Sequence, residues 1–282
     1  LSFASINIIS PAIIEIACYY IVIAVMSGII IINIKYKQAI MFTVLVFIIA
    51  KGLASMLPGK LSISFVDVGQ GDCIFIITPD KKTVLIDGGG NARTAYSDFD
   101  VGERIVKPYL LKHGIKKIDL IISTHSHDDH LLGLIPVMQC FNVSKFVKQQ
   151  QKDASYISVF QNISTPKPEI LDVSFGDTIN VGKRIKLYVL NPEGYVKDEN
   201  DSSIVVKLEY NKFSALFTGD ISENVEDDLI NYPVEADVLK IPHHGSSSSL
   251  KQEFLDAVNP EAAVICVGRN SFGHPSNSVL DI

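Results

Sequence analysis

The chain has 282 residues, a formal net charge of −6 and seven histidines. Its length exceeds that of a usual single domain, and a hydrophobic share of 47% with a mean hydropathy of +0.26 points to membrane segments. The acidic balance without a long basic run carries no compositional signature of a nucleic-acid binder.

The apolar excess lies at the start. Pro11 to Ile34 is almost wholly apolar, broken by Glu15, and is long enough to cross a bilayer as a helix, which takes about 20 residues. Ala39 to Leu57 is a weaker second span because Lys51 interrupts it. The two predict a helical hairpin joined by Asn33 to Gln38, giving a membrane portion over 1–58 and a separate domain over 59–282. A signal peptide fits poorly, since no basic segment precedes the first span and no cleavage site follows it. Lys35 and Lys37 follow the first span closely, which places that short loop in the cytoplasm and everything after Leu57 outside it. The four cysteines lack paired metal-ligand spacing and read as buried free thiols. A start at Leu1 and a stop just beyond a His-Pro turn read as a fragment, with the domain lacking its extreme C-terminus.

From Lys60 onward the pattern alternates strands with helices. Leu61 to Val68 begins with period-two alternation, Cys73 to Ile77 and Thr83 to Asp87 continue as strands, and Glu103 to Lys112 has helical spacing with Gly114 as its stop. Gly88 to Gly90 leaves a tight turn and a phosphate cradle both open. The apolar stretch Ile118 to Ser123 then leads into Thr124-His125-Ser126-His127-Asp128-Asp129-His130. Three imidazoles and two carboxylates within six residues suit two metal ions side by side, which in two-metal hydrolases lie roughly 3.5–4 Å apart. A helix over Leu131 to Met138 follows, weakened by Gly133 and Pro136. Lys112, Lys116, Lys117, Lys145, Lys148 and Lys152 form modest clusters and read as a solvated face. Further strands are expected at Arg184 to Leu190, Ser203 to Tyr210, Ser214 to Thr218, Val238 to Ile241 and Ala262 to Val267. Helices are expected at Glu223 to Asn231 and Leu250 to Val258. Two blocks of strands, each with helices following, predict an α/β fold of two sheets between helical layers.

The run His125-Ser126-His127-Asp128-Asp129-His130 resembles the His-x-His-x-Asp-His motif of the metallo-β-lactamase superfamily, an αββα sandwich. Phe65-Val66-Asp67-Val68-Gly69-Gln70-Gly71-Asp72 resembles the opening of the C-terminal hydrolase domain of the ComEC competence family. Thr218-Gly219-Asp220, Pro242-His243-His244-Gly245-Ser246 and Asn270-Ser271-Phe272-Gly273-His274-Pro275 are similar to that family's later motifs. The resemblance covers about Lys60 to the end, and the helices before it resemble the end of the family's membrane channel. It implies a multi-pass cell-membrane protein whose hydrolase domain lies on the extracytoplasmic side. The implied partners are DNA, the membrane and the remaining channel segments, and the implied cofactors are two divalent ions.

Within that frame His125 and His127 suit one ion, and Asp129 with His130 suits the second. The resemblance gives Asp220 a bridging role. Spacing leaves His243 and His244 open for the second ion; His243 is taken as the ligand, with His244 contacting substrate. Asp129 is also counted among the catalytic residues, and His244 or His274 is the candidate for leaving-group chemistry. Asp67 and Asp87 are read as orienting ligands or tying loops. Many superfamily members supply another histidine before the bridging Asp, whereas this chain has none between His130 and His243, and Asn200-Asp201-Ser202-Ser203 occupies the stretch. Fewer imidazoles shift preference from zinc toward manganese, and both metals stay open. A nuclease acting on incoming DNA is the expectation; the alternatives are a hydrolase of another phosphoester, such as cell-wall phosphocholine, and a non-catalytic channel component that guides DNA.

Overall fold

A computed structural model of the chain describes residues 11, 13–90, 99–150, 156, 166–194 and 196–282. Residues 1–10 of the expected membrane portion and Lys152 of the lysine cluster lie outside the described residues.

The N-terminal helices reverse their expected ranking. Helix α1 (Ile13–Met26) has 14 residues, a length of about 21 Å against a hydrocarbon core of about 30 Å. It ends because the chain turns at Ser27 and Gly28, the latter at φ +75°. Helix α2 (Ile34–Met56) has 23 residues, and among the described residues only its stretch Ile34–Leu53 is long and apolar enough to cross a membrane. It starts earlier than expected because Asn33 caps it: the side chain accepts from Lys35 N at 3.0 Å and the carbonyl from Tyr36 and Lys37 N–H. Residues 34–38 are therefore helix rather than connecting loop. Lys51, which breaks the apolar run, forms an ion pair with Glu15 of α1.

The rest of the described chain builds two mixed sheets. The first holds β1 (Ser62–Phe65), β2 (Ile74–Ile77), β3 (Thr83–Ile86), β4 (Lys117–Ile122), β5 (Asn142–Gln149) and β6 (Glu169–Val173) in that order. The second holds β7 (Thr178–Val181), β8 (Ile185–Asn191), β9 (Val205–Tyr210), β10 (Phe213–Phe217), β11 (Val238–Lys240) and β12 (Ala262–Val264), again side by side. In both, antiparallel hairpins lead into parallel pairs, β3–β4–β5–β6 and β10–β11–β12.

Period-two alternation decides which layer each side chain joins. Ile74, Ile76, Val84, Ile86, Leu120 and Ile122 meet Leu187, Val189, Val206, Leu208 and Phe217 between the sheets. Their neighbours Phe75, Leu85 and Ile121 face outward onto α3 (Lys107–Lys112) and α5 (Leu134–Cys140), through Leu110, Leu134 and Val137. On the far side Val205, Leu216 and Leu239 pack on α6 (Glu223–Leu229) and α7 (Gln252–Val258), through Val225, Leu229, Phe254 and Val258. The result is the expected αββα order of layers.

Several expected elements shift. The helix expected over Leu131 to Met138 is two pieces, α4 (Asp128–Leu131) and α5, separated at Gly133. A Cβ at Gly133 would collide with the Gly88 carbonyl, so the close backbone approach requires glycine there. The expected helix from Glu103 begins as a π-turn, Gly102–Val106, before α3. Strand β5 is masked in sequence by Lys145 and Lys148, although Val143, Phe146 and Val147 are buried. Lys145 and Lys148 are paired across to β6, with Glu169 at 3.6 Å and Asp172 at 2.5 Å. Ahead of α7, buried Glu226 of α6 accepts from Leu250 N at 2.6 Å and Lys251 N at 2.8 Å, which ties the incoming chain to α6.

Candidate metal centre

Asp87, His125, Asp220 and His244 each follow the carboxyl end of a strand, β3, β4, β10 and β11 respectively. Because those ends lie on one rim of the sandwich, residues far apart in sequence converge there. His125 and His130 are fully buried, and Asp220 and His244 nearly so.

Ligand-type atoms gather in three groups that share His130, each within 4.8 Å: His125, His130 and Asp220; Asp129, His130 and His244; and Asp72, Asp87 and His130. Asp220 Oδ2 lies 3.2 Å from His130 Nε2 and 3.1 Å from His244 Nε2. Asp129 Oδ2 is 3.4 Å from the same His244 atom.

Each buried imidazole is held through Nδ1. His130 Nδ1 is 2.8 Å from Asp87 Oδ2, and His244 Nδ1 donates to the Cys266 carbonyl at 2.7 Å. His125 Nδ1 has Thr124 Oγ1 at 3.1 Å and Ser203 Oγ at 3.3 Å. Fixing Nδ1 fixes the tautomer and turns Nε2 toward the centre. The Nε2 atoms of His125, His130 and His244 are buried without a hydrogen bond of good geometry. Buried nitrogens of that kind call for an occupant. Three imidazoles with Asp129 and Asp220 make a mixed nitrogen and oxygen donor set that fits divalent transition ions.

The adjacent histidines separate. His243 and His244 both adopt the left-handed region, at φ 49° and 53°, which side chains other than glycine rarely do. That turn sends His244 into the centre. His243, the expected ligand, instead has its ring centroid 5.5 Å from that of His274, and neither joins a ligand group. His127 is 40% exposed, with Nε2 at 2.9 Å from Glu199 Oε2, and it too stands outside all three groups. The 200–203 stretch serves as support: Ser203 Oγ accepts from Asp220 N at 3.1 Å, and Asn191 Nδ2 donates to the carbonyls of Asp201 and Ser203.

Asp67 is exposed and accepts from Gly69 N at 3.1 Å, so it ties its loop. Asp87 orients His130, and also accepts from Thr124 N and Oγ1 at 2.8 and 2.7 Å. The N–H groups of Gly88 and Gly89 donate to the His130 and Asp72 carbonyls, which makes the glycine run a turn rather than a phosphate cradle. Asp72 closes the opening motif without a role assigned from sequence, and Lys240 lies outside every motif. Lys240 is fully buried, forms an ion pair with Asp72, and approaches Asp220 Oδ1 at 3.4 Å. Its signal was available: a lysine inside the otherwise apolar run Val238-Leu239-Lys240-Ile241.

Electrostatics follow from burial and pairing. Burial lowers His125, aided by the charge of His130, which keeps that imidazole neutral. Burial opposes the charge on His244, yet Asp220 and Asp129 raise it to about 9. Burial likewise opposes the charge on His130, but Asp220 and Asp87 push its pKa well above the ordinary value. Burial pushes Asp220 up, but His130, His244 and Lys240 hold it well below the usual range.

These shifts carry a pH signature in the metal-free chain. The folded His244 value lies above its ordinary 6.5, so its contribution to stability is complete below that pH and disappears as pH rises through about 9. The shift is worth on the order of 3 kcal/mol. With a chelator present, the melting temperature is expected to fall between pH 6.5 and about 9.5. Saturating Mn²⁺ should remove that fall, because metal binds the deprotonated imidazole. A flat chelated profile would contradict the ion pairs of His244 with Asp220 and Asp129.

Comparison with known proteins agrees with this architecture. Residues 66–269 match the Metallo-beta-lactamase superfamily. ComE operon protein 3 of Bacillus subtilis (strain 168) is 32% identical over 240 residues, covering 80% of this chain and 31% of that protein. Recombination protein 2 of Haemophilus influenzae is 28% identical over 217 residues, covering 76% and 25%. The chain thus spans about a third or less of the length of these relatives. Among solved structures, a CmlA beta-hydroxylase E377D mutant aligns with a TM-score of 0.50 at 16% identity, covering 79% of this chain and 49% of that one, a likeness of fold alone. The chain belongs to the metallo-β-lactamase superfamily, and its relatives are proteins of the ComEC competence family.

Proposed function

We propose that the chain is a metal-dependent phosphodiesterase of a DNA-uptake machine, cleaving incoming DNA outside the membrane that α1 and α2 anchor it to. The observation that carries this reading is the convergence of His125, Asp129, His130, Asp220 and His244 on one rim, with three buried Nε2 atoms lacking good hydrogen bonds. The kinship with ComE operon protein 3 and Recombination protein 2 supports the DNA substrate. Support for anchoring comes from the exposed apolar side chains of both helices, Ile13, Tyr20, Phe42 and Leu53 among them, and from Lys35 and Lys37 as a cytoplasmic flank.

His125, His130, Asp220, Asp129 and His244 would hold two divalent ions, Zn²⁺ or Mn²⁺, with His127 able to join by leaving Glu199. Bound there, such ions supply Lewis-acid neutralisation of charge on a phosphoryl group. Asp87 would hold the proton on His130 Nδ1 and leave the Nε2 lone pair free for an ion. The Cys266 carbonyl does the same for His244. His243 packs on His274 and neighbours His244, and this pair would be available to a leaving group.

The test uses the whole chain in detergent with single- and double-stranded DNA and either Mn²⁺ or Zn²⁺. Cleavage is expected with metal, none with chelator, and none from Asp129→Ala. Persistent cleavage by Asp129→Ala would sink the site assignment, and hydrolysis of phosphocholine esters without cleavage of DNA would replace the substrate.

A further inference from the structure

Lys240 is the most unusual side chain near the centre: a lysine with no solvent exposure, at the end of an apolar strand. A lysine ammonium has three donors, and here all three sides meet acceptors. The Gly219 carbonyl accepts at 2.8 Å, Asp220 Oδ1 lies at 3.4 Å, and Asp72 Oδ2 completes an ion pair. The two oxygens of Asp220 therefore face different ways. Oδ1 faces the ammonium, while Oδ2 faces His130 and His244.

Asp72 extends the same connection to the other ligands. Its backbone N–H donates to the Asp129 carbonyl at 3.3 Å, and its Oδ1 lies 3.5 Å from His244 Nδ1. Its own carbonyl accepts from Gly89 N at 2.7 Å. A Cβ at the preceding Gly71, which has φ +119°, would collide with the Asp129 carbonyl, so this loop is pressed against the start of α4. One residue from the first sheet thus touches the backbone of Asp129, approaches His244, and reaches Asp220 through a lysine from the second sheet.

We propose that Asp72 and Lys240 form a positioning lock that keeps Asp220 single-oxygen toward the metals and sets its separation from His244 and Asp129. The proposal rests on the reading of those three residues as ligands. With the lock absent, Asp220 would be free to rotate, and its Oδ2 would no longer be held toward His130 and His244. A purely structural ion pair would affect folding and leave the metals unchanged, and metal binding separates the two roles.

Lys240→Met alone leaves two buried carboxylates without their cation, which threatens folding. The informative variants are Asp72→Asn and the double variant Asp72→Asn/Lys240→Met, in which no lone charge remains on the lock. Both are prepared as the full chain, checked for a cooperative melt in chelator, and titrated with Mn²⁺ alone by calorimetry and electron paramagnetic resonance. Wild type is expected to bind two ions with an exchange-coupled signal. Both variants are expected to lose about 10–100-fold in affinity for one ion, as loss of residues that orient ligands does elsewhere, and to show the signal of isolated ions. Wild-type affinity with a coupled signal in both folded variants overturns the lock. A wild type that binds no ion overturns the lock together with the ligand reading. A wild type that binds two ions but cleaves no DNA overturns only the nuclease reading, and the binding comparison still decides the lock.

Discussion

Replacing Asp220 by Asn is expected to reduce phosphodiester hydrolysis by about 10³-fold, with the fold retained. Asp220 is the carboxylate that touches both imidazole groups, at 3.2 Å from His130 Nε2 and 3.1 Å from His244 Nε2. An amide keeps the shape and one oxygen but removes the negative charge that would draw the ions together. An ion in such a site contributes several kcal/mol of transition-state charge stabilisation, and about 1.4 kcal/mol corresponds to tenfold in rate. The measurement is kcat on a simple phosphodiester and on DNA, at saturating Mn²⁺, beside a chelated melting curve. A rate within tenfold of wild type would remove Asp220 from the metal-binding role.

His244→Ala and His243→Ala are expected to diverge despite their adjacency. His244 is nearly buried, presents Nε2 to Asp129 and Asp220, and is oriented by the Cys266 carbonyl. Its loss should weaken one ion by at least about 100-fold, the upper end of what loss of a merely orienting residue costs. His243 faces His274 instead, so His243→Ala should bind both ions within about tenfold of wild type. Its effect is expected in kcat, on the proposal that His243 and His274 border the substrate beside the ligands. Stoichiometry by metal analysis after dialysis, together with Mn²⁺ titration, separates the outcomes. Equal loss of metal from both variants would contradict the divergent turn at Pro242–Gly245.

The left-handed backbone of His243 and His244 shows why the sequence left this pair open. Both residues are imidazoles, they are neighbours, and a helical or extended turn would send them in different directions. What selects His244 is the pair of positive φ values followed by Gly245 at φ +77°, and the Cys266 carbonyl waiting beyond β12. Positive φ at residues other than glycine is sustained only by surrounding contacts, here contacts made by segments more than twenty residues away. The first helix failed for a related reason. Hydropathy measured its apolar length, but the turn at Ser27 and Gly28 shortened it to 14 residues, while Asn33 lengthened its partner by capping it.

What the residues determined alone was local or short in range. Alternation announced β1, short apolar runs announced β2, β3, β8, β9 and β10, and the spacing of His125 to His130 announced metal donors at the end of a strand. Asp220 was legible from the Thr-Gly-Asp that follows an apolar strand, once the resemblance was admitted. Tertiary structure decided everything that depends on two strand ends meeting. It paired Asp72 with Lys240 across the sandwich, hid β5 behind lysines whose partners lie on β6, and gave His130 rather than His127 the place shared by all three ligand groups. The physical reason is common to all of these. Local pattern fixes which face of an element is buried, whereas direction, protonation and partnership at a buried site are set by charges and carbonyls that packing brings from elsewhere in the chain.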